Sequence, residues 1–163
     1  MKRIGIFPGS FDPFTLGHLA TVRQGLRLVD ELVIAVMTNT GKKALFTATE
    51  RVTQIEQATA GMPGVRVVAA PRSLTIDFAR SMGANVIIRG LRDTSDYTFE
   101  SAIAVANAKM APEITTVLLP AEPNNVGTSS SIVKEIAAFG GDLTPFVPQN
   151  IVLALQAKLG DRD

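Results

Sequence analysis

The sequence predicts an α/β fold in which a parallel five-stranded sheet is doubly wound by helices. Three observations carry this. Short β-branched apolar runs alternate with longer runs of helical period. The short runs are almost continuously apolar, as strands covered on both faces are. Gly-, Pro- and hydroxyl-rich segments recur after the strands, where a parallel sheet gathers its ligand-binding loops along one edge.

Each element has its own signal. Ile4 to Phe7 reads as the first strand, broken by Pro8-Gly9. Leu19, Val22 and Leu26 then fall on one helical face. Leu32 to Met37 is the second strand, and Val52, Ile55 and Ala58 repeat the helical spacing, with Thr49 and Glu50-Arg51 as its start. Val65 to Val68 is the third strand. Phe78, Ala79 and Met82 mark a helix stopped at Gly83. Val86 to Ile88 is the fourth strand, followed by an Ala-rich helix from Thr94 to Met110. Thr115 to Leu119 is the fifth. Ile132, Val133, Ile136 and Phe139 form a helix closed by Gly140-Gly141, and Pro148 to Leu159 is a terminal one. No repeat or linker interrupts the order, so residues 1–163 are expected to form a single domain.

Composition narrows the function. Hydrophobic residues make up 46% and charged residues 19% of the 163-residue chain, which places it among compact globular proteins. Sixteen Lys and Arg against fifteen Asp and Glu leave +1 at pH 7, so no global basic field invites nucleic acid or a membrane. With no Cys and one His, disulfides, cysteine nucleophiles and thiolate or His-rich zinc sites are excluded. No run approaches the roughly 18 apolar residues of a membrane span, and the opening segment is not a signal peptide. A soluble, cytoplasmic protein is the expectation.

The chemistry gathers in four loops: Gly9 to Gly17, Thr38 to Lys43, Arg89 to Asp96, and Pro120 to Ser131. The first is neither a dinucleotide fingerprint nor a P-loop. It nevertheless feeds a helix N-terminus, where unpaired N–H groups attract anions. Gly17 permits close approach there, His18 adds a side-chain donor, and Thr15 stands ready to brace the turn or the ring. A surface histidine beside an ordinary turn is the competing reading. Lys42-Lys43 and Arg89-Gly90-Leu91-Arg92 place cations at strand ends, where self-repulsion favours a bound anion, although solvated lysines explain the first pair equally well. Thr128-Ser129-Ser130-Ser131 offers more hydroxyls than one helix cap needs. Asp12, Asp93, Asp96 and Glu100 form no recognisable metal motif. Ala102 to Met110 reads as helix packing. Two helix N-termini, clustered cations and little general-base machinery favour phosphoryl or nucleotidyl transfer by positioning and charge neutralisation.

Pro8-Gly9-Ser10-Phe11-Asp12-Pro13 with Thr15-Leu16-Gly17-His18 resembles the signature of the nucleotidylyltransferase superfamily. Adding Ile88-Arg89-Gly90-Leu91-Arg92 and Thr128 through Glu135 makes the set similar to the bacterial phosphopantetheine adenylyltransferase family, from about Lys2 to Leu159. The resemblance implies a Rossmann-like nucleotidylyltransferase fold. It implies transfer of the adenylyl group of ATP to 4′-phosphopantetheine, giving dephospho-coenzyme A and pyrophosphate without a covalent intermediate. It further implies Mg²⁺ held mainly by the ATP phosphates, a homohexamer, and coenzyme A as a feedback ligand. The implied catalytic set is Ser10, His18, Lys42 and Arg92. Ser10, Lys42 and Arg89 would hold the acceptor phosphate, with Leu74, Thr75 and Asn107 along the pantetheine arm. Ser10, Phe11, His18, Gly90, Leu91, Arg92, Glu100, Asn125, Val126, Gly127, Thr128, Ser129, Ser130 and Ser131 would form the ATP site. The chain departs from the family pattern at Asn125-Val126, at Thr128, and at Thr98-Phe99 before Glu100. Competing readings are another phosphorylated acceptor, such as nicotinate mononucleotide or glycerol 3-phosphate, and a nucleotide-sensing module without turnover.

Overall fold

The structure is a computed structural model that describes residues 2–38, 41, 43–125 and 128–160. Its strands are β1 (Ile4–Gly9), β2 (Glu31–Val36), β3 (Val65–Ala69), β4 (Val86–Leu91) and β5 (Thr115–Pro120). Its helices are α1 (Leu16–Gly25), α2 (Ala48–Ala58), α3 (Thr75–Ser81), α4 (Thr94–Met110), α5 (Ser130–Ala138) and α6 (Gln149–Leu159). The strands form one parallel sheet in the order β3-β2-β1-β4-β5. The predicted alternation and class are therefore observed.

Side-chain alternation divides the core between the two faces of the sheet. Phe7, Ile34, Val36 and Ile88 pack with Leu19, Val22, Ile55, Val133, Ile151 and Leu155 from α1, α2, α5 and α6. Ile6, Val33, Ala35 and Ile87 face the other way, onto Ile76, Phe78 and Ala79 of α3.

Three expectations are corrected. The helix read as starting at Thr49 is capped two residues earlier: Thr47 accepts from the Glu50 N–H while the Glu50 carboxylate takes the Thr47 N–H. The fourth strand runs on through Leu91, so Arg89 and Gly90 are strand residues paired with Leu118 and Leu119, and Gly90 makes no turn. Its missing Cβ serves packing, since a Cβ there would sit 3.0 Å from Thr21 Oγ1 of α1. Finally, Ala102 to Met110 is not core. The buried residues of α4 are Glu100 and Asn107, while Phe99, Val105 and Met110 face outward.

The sheet also opens where the site lies. β1 pairs with β4 only at Gly5–Val86 and Ile6–Ile87, whereas its pairing with β2 continues to Gly9–Val36. Pro8 has no N–H to offer a ladder, and its carbonyl accepts from Arg89 Nη1 instead. Between β1 and β4 the strand order reverses, and this is where open α/β sheets bind ligands.

Candidate active site

A cavity of about 580 Å³ occupies that crevice. The β1–α1 turn supplies Ser10, Phe11, Asp12, Thr15, Gly17 and His18, and the segment before α2 supplies Lys43 and Ala44. β4 and its exit supply Arg89, Gly90, Leu91 and Arg92, and α4 supplies Asp96 and Glu100. Asn125, Thr128, Ser129, Ser130, Ser131 and Lys134 close it from the α5 side, and Arg51 lies in the wall. Lys42, Val126 and Gly127 lie outside the described residues. Leu74, Thr75 and Asn107 are not in the lining: Leu74 and Thr75 sit at the start of α3, and Asn107 is a buried residue of α4. The expected pantetheine-arm trio is thus not brought to this cavity.

His18 is held by the backbone. Thr15 caps α1 and accepts from the His18 N–H at 3.2 Å, while the Thr15 N–H donates to His18 Nδ1 at 3.0 Å. A histidine here does what a glutamate does in the usual capping box. Because Nδ1 accepts, the ring proton resides on Nε2. Phe7, Phe11 and Phe14 surround the ring, with centroids 6.2, 5.0 and 5.5 Å away. Burial against them, then the positive charges of Arg92 and Arg89, lowers the His18 pKa to about 3. The imidazole is therefore a neutral Nε2–H donor at the cavity wall, not a surface histidine.

The arginines are held by carboxylates. Arg89 donates to Glu100 from Nε at 2.9 Å and from Nη2 at 2.6 Å, and Glu100 is buried. With Nη1 on the Pro8 carbonyl, two of its five N–H groups remain for a ligand. Arg92 forks onto Asp96 at 2.9 and 3.1 Å, which pushes the arginine pKa up and the Asp96 carboxyl down. The hydroxyl run is divided: Ser129 caps α5, Ser130 donates to the Pro13 carbonyl at 2.8 Å, and Thr128 and Ser131 keep hydroxyls without partners among the described residues. The lining holds Lys43, Arg51, Arg89, Arg92 and Lys134 against Asp12, Asp96 and Glu100, an excess of two positive charges with His18 neutral. Such an excess at two helix N-termini is chemically suited to an anion.

Sequence reasoning missed two of these groups. Lys134 of α5 reaches Asp12 at 3.3 Å across 122 residues, a contact no local pattern announces. Arg51 did carry a signal, since it lies four residues before Ile55 on the apolar face of its helix.

Residues 6–136 match the cytidylyltransferase-like family. A phosphopantetheine adenylyltransferase from Lacticaseibacillus casei is 53% identical over 160 residues, covering 98% of this chain and 96% of its own length. The chain belongs to the phosphopantetheine adenylyltransferase family. A second member of that family, from Lachnoclostridium phytofermentans, is 47% identical over 96% of this chain and 95% of its own length. A solved chain from Vibrio parahaemolyticus, described as a nicotinate-nucleotide adenylyltransferase, superposes with a TM-score of 0.70 over all of this chain and 98% of that one. At 18% identity it shows a shared fold and no more. For the family, the match extends over both faces of the sheet and all four cavity-forming segments, from the β1–α1 turn to the α5 N-terminus. Among the described residues, no helix is long and apolar enough to cross a membrane.

Proposed function

We propose that the crevice between β1 and β4 seats ATP and 4′-phosphopantetheine so that their phosphates meet beside His18. The reaction is adenylyl transfer from ATP to 4′-phosphopantetheine, giving dephospho-coenzyme A and pyrophosphate for coenzyme A synthesis. The observation that carries this reading is the half-buried, neutral His18 in the cavity lining, whose Nδ1 is taken by the Thr15 N–H so that Nε2 keeps the ring proton as a donor.

In the transfer, an oxygen of the acceptor phosphate attacks the α-phosphorus of ATP. The bond from that phosphorus to the α–β bridging oxygen breaks, and its electron pair leaves with pyrophosphate. A phosphate monoester, with a second pKa of about 6, is already ionised at neutral pH and needs no general base. What the reaction needs is a donor for charge developing on the phosphoryl oxygens, and a pre-set Nε2–H meets it without reorganisation. Ser10, Arg89 and Lys42 hold the acceptor phosphate, Lys42 by resemblance alone. Arg92, Ser130, Ser131 and the α5 N-terminus engage the β- and γ-phosphates, with Phe11, Gly90, Leu91, Asn125 to Ser129 and Glu100 around the nucleotide. Leu74, Thr75 and Asn107 remain assigned to the pantetheine arm by resemblance.

Mg²⁺ fits this cavity as a companion of the nucleotide. Asp12, Asp96 and Glu100 are each engaged by a cation, so the ion would ride on the phosphates of ATP, as Mg²⁺ commonly does. There it would neutralise polyphosphate charge. Exposed Tyr97, Phe99, Val105 and Met110 along α4 support self-association, read here as the family's homohexamer. A single nucleotidylyltransferase domain, a cytoplasmic location and feedback by coenzyme A complete the reading.

The test is pyrophosphate release with ATP, Mg²⁺ and 4′-phosphopantetheine, run beside ATP with nicotinate mononucleotide. Release with the first acceptor alone is expected. Release with the second alone, or binding of ATP without any release, would overturn the assignment.

A further inference from the structure

Arg51 is 3% exposed and lines the cavity, yet unlike Arg89 and Arg92 it has no carboxylate partner among the described residues. Its guanidinium binds carbonyl oxygens instead. Nη1 donates to Ser10 at 2.5 Å and to Met37 at 3.1 Å, and Nε is shared between Phe46 at 3.2 Å and Thr47 at 3.3 Å. These carbonyls belong to three segments: the β1–α1 turn, the exit of β2 and the entry to α2. Four carbonyls satisfy N–H groups but do not neutralise a buried charge, so a structural pin alone would not require a cation here. From the other side, Asp12 accepts the N–H groups of Leu45 and Phe46 at 2.8 and 2.9 Å. The stretch entering α2 is thus gripped by its carbonyls and by its amides.

The consequence falls on one peptide. Phe11 has φ 50°, a left-handed conformation that a bulky residue adopts only when its surroundings impose it. In a trans peptide the carbonyl and the following N–H point in opposite directions. With the Ser10 carbonyl held on Arg51, the Phe11 N–H is turned away from Arg51. That N–H has no acceptor among the described residues, and neither does the Ser10 hydroxyl, although both residues line the cavity. A flipped peptide would release φ and present a carbonyl oxygen to an incoming anion.

We propose that Arg51 is a positioning residue for adenylyl transfer: it locks the Ser10–Phe11 peptide in the orientation that offers the Phe11 N–H and the Ser10 hydroxyl to phosphate. This rests on the reading of Ser10 and Phe11 as phosphate-binding positions.

The test compares Arg51→Lys, Ser10→Ala and the double variant by steady-state kinetics and thermal melting. In parallel, the Phe11 amide of the wild-type protein is followed by ¹H–¹⁵N NMR during titration with ATP and with inorganic pyrophosphate. A lysine keeps the charge but cannot span three segments. Folded Arg51→Lys is expected to lose about 100-fold in kcat, the scale of a small misplacement of reacting groups. In the Ser10→Ala background the same substitution should add clearly less than in the wild type, because the hydroxyl's share is already gone and only the Phe11 N–H remains to be misplaced. The Phe11 amide should shift on titration in the wild type. Arg51→Lys with kcat within about threefold of wild type, or losses that simply multiply with those of Ser10→Ala, would overturn the proposal. So would a silent Phe11 amide at saturating ATP, a result that needs no folded variant. Wild-type kinetics in Ser10→Ala would instead overturn the underlying phosphate-site reading, and the proposal with it.

Discussion

The two walls of the cavity are built by different physics. At the β1–α1 turn, His18 and Phe11 are fixed by backbone hydrogen bonds and packed rings, and the imidazole in the lining is uncharged. At the β4–α4 wall, Arg89 and Arg92 are fixed by carboxylates, with side chains 28% and 45% exposed. A group that meets charge only as it develops must be in place beforehand, and backbone bonds with buried rings hold it there. A group that grips charge already present in the substrate can trade one anion for another. The turn should therefore govern kcat, and the wall mainly KM.

The largest break in this contrast is His18→Ala. Removing a fixed transition-state donor costs roughly 2.7–4 kcal/mol, so kcat is expected to fall by at least about 100-fold. ATP affinity, measured by calorimetry, should change only a few-fold. A folded variant keeping more than about a tenth of wild-type kcat would remove His18 as a principal donor.

Arg92→Ala comes next. Charge-assisted hydrogen bonds are worth about 1.5–3 kcal/mol, but Arg92 is nearly half exposed and screened, so a loss of roughly tenfold in kcat/KM for ATP is expected. Arg92→Lys should recover little of it, since an ammonium cannot fork onto Asp96 and a phosphate together. ATP titrations of both variants measure this, and a fully active lysine variant would count against bidentate contact.

Glu100→Gln sharpens the contrast within one wall. Both Glu100 oxygens are taken by Arg89. The amide keeps one acceptor and loses the charge, leaving Arg89 less firmly aimed. A rise of several-fold in KM for 4′-phosphopantetheine is expected, the scale of one weakened hydrogen bond at about 1 kcal/mol, with a smaller rise in KM for ATP because Glu100 also borders the nucleotide. A rise in KM for ATP alone would mean that Glu100 serves the nucleotide and not the aim of Arg89.

These predictions divide along the line between what was legible in the sequence and what was not. Alternating apolar runs were enough for strand order along the chain, and the Thr15–His18 spacing was enough to suggest a braced ring, because both depend on neighbours within one element. Where the strands end was less legible: Arg89 and Gly90 look like a loop, and only pairing with Leu118 and Leu119 makes them strand. The lowered pKa of His18 needed the Phe7, Phe11 and Phe14 rings brought around it from β1 and the turn that follows. Arg51 and Lys134 act across 41 and 122 residues, and a periodicity argument has no access to such separations. The Ala-rich stretch of α4 misled for the opposite reason. Local propensity made it a helix correctly, but the residues it buries are the polar Glu100 and Asn107, and Glu100 is buried on an arginine of another element.

The smallest expected effect is on the pH profile, and it separates the two walls most directly. With a folded pKa near 3, His18 stays neutral from pH 6 to 9, so kcat at saturating substrates should show no limb from its titration. A general base of ordinary pKa, about 6.5, would instead produce an acidic limb near that pH. The acceptor phosphate, with a second pKa of about 6, can impose a limb of its own on kcat/KM. His18→Asn distinguishes the two: a limb that survives the substitution belongs to the substrate, and one that vanishes belongs to the imidazole and would overturn the donor role. Stability supplies the matching check. The unfolded imidazole binds a proton below about 6.5 while the folded one does not until about pH 3, so the unfolded state carries more protons throughout that window. Stability contributed by neutral His18 is therefore complete above the unfolded pKa and lost as pH falls towards the folded one. The depressed Asp96 carboxyl acts in the same direction at lower pH. Denaturant titrations at pH 7 and pH 5 should show wild type losing about 2 kcal/mol more than His18→Asn, at 1.36 kcal/mol per pH unit over the 1.5 units below 6.5. Equal losses in the two proteins would mean that the ring takes up its proton without unfolding, and that the turn is open to solvent rather than closed by its phenylalanines.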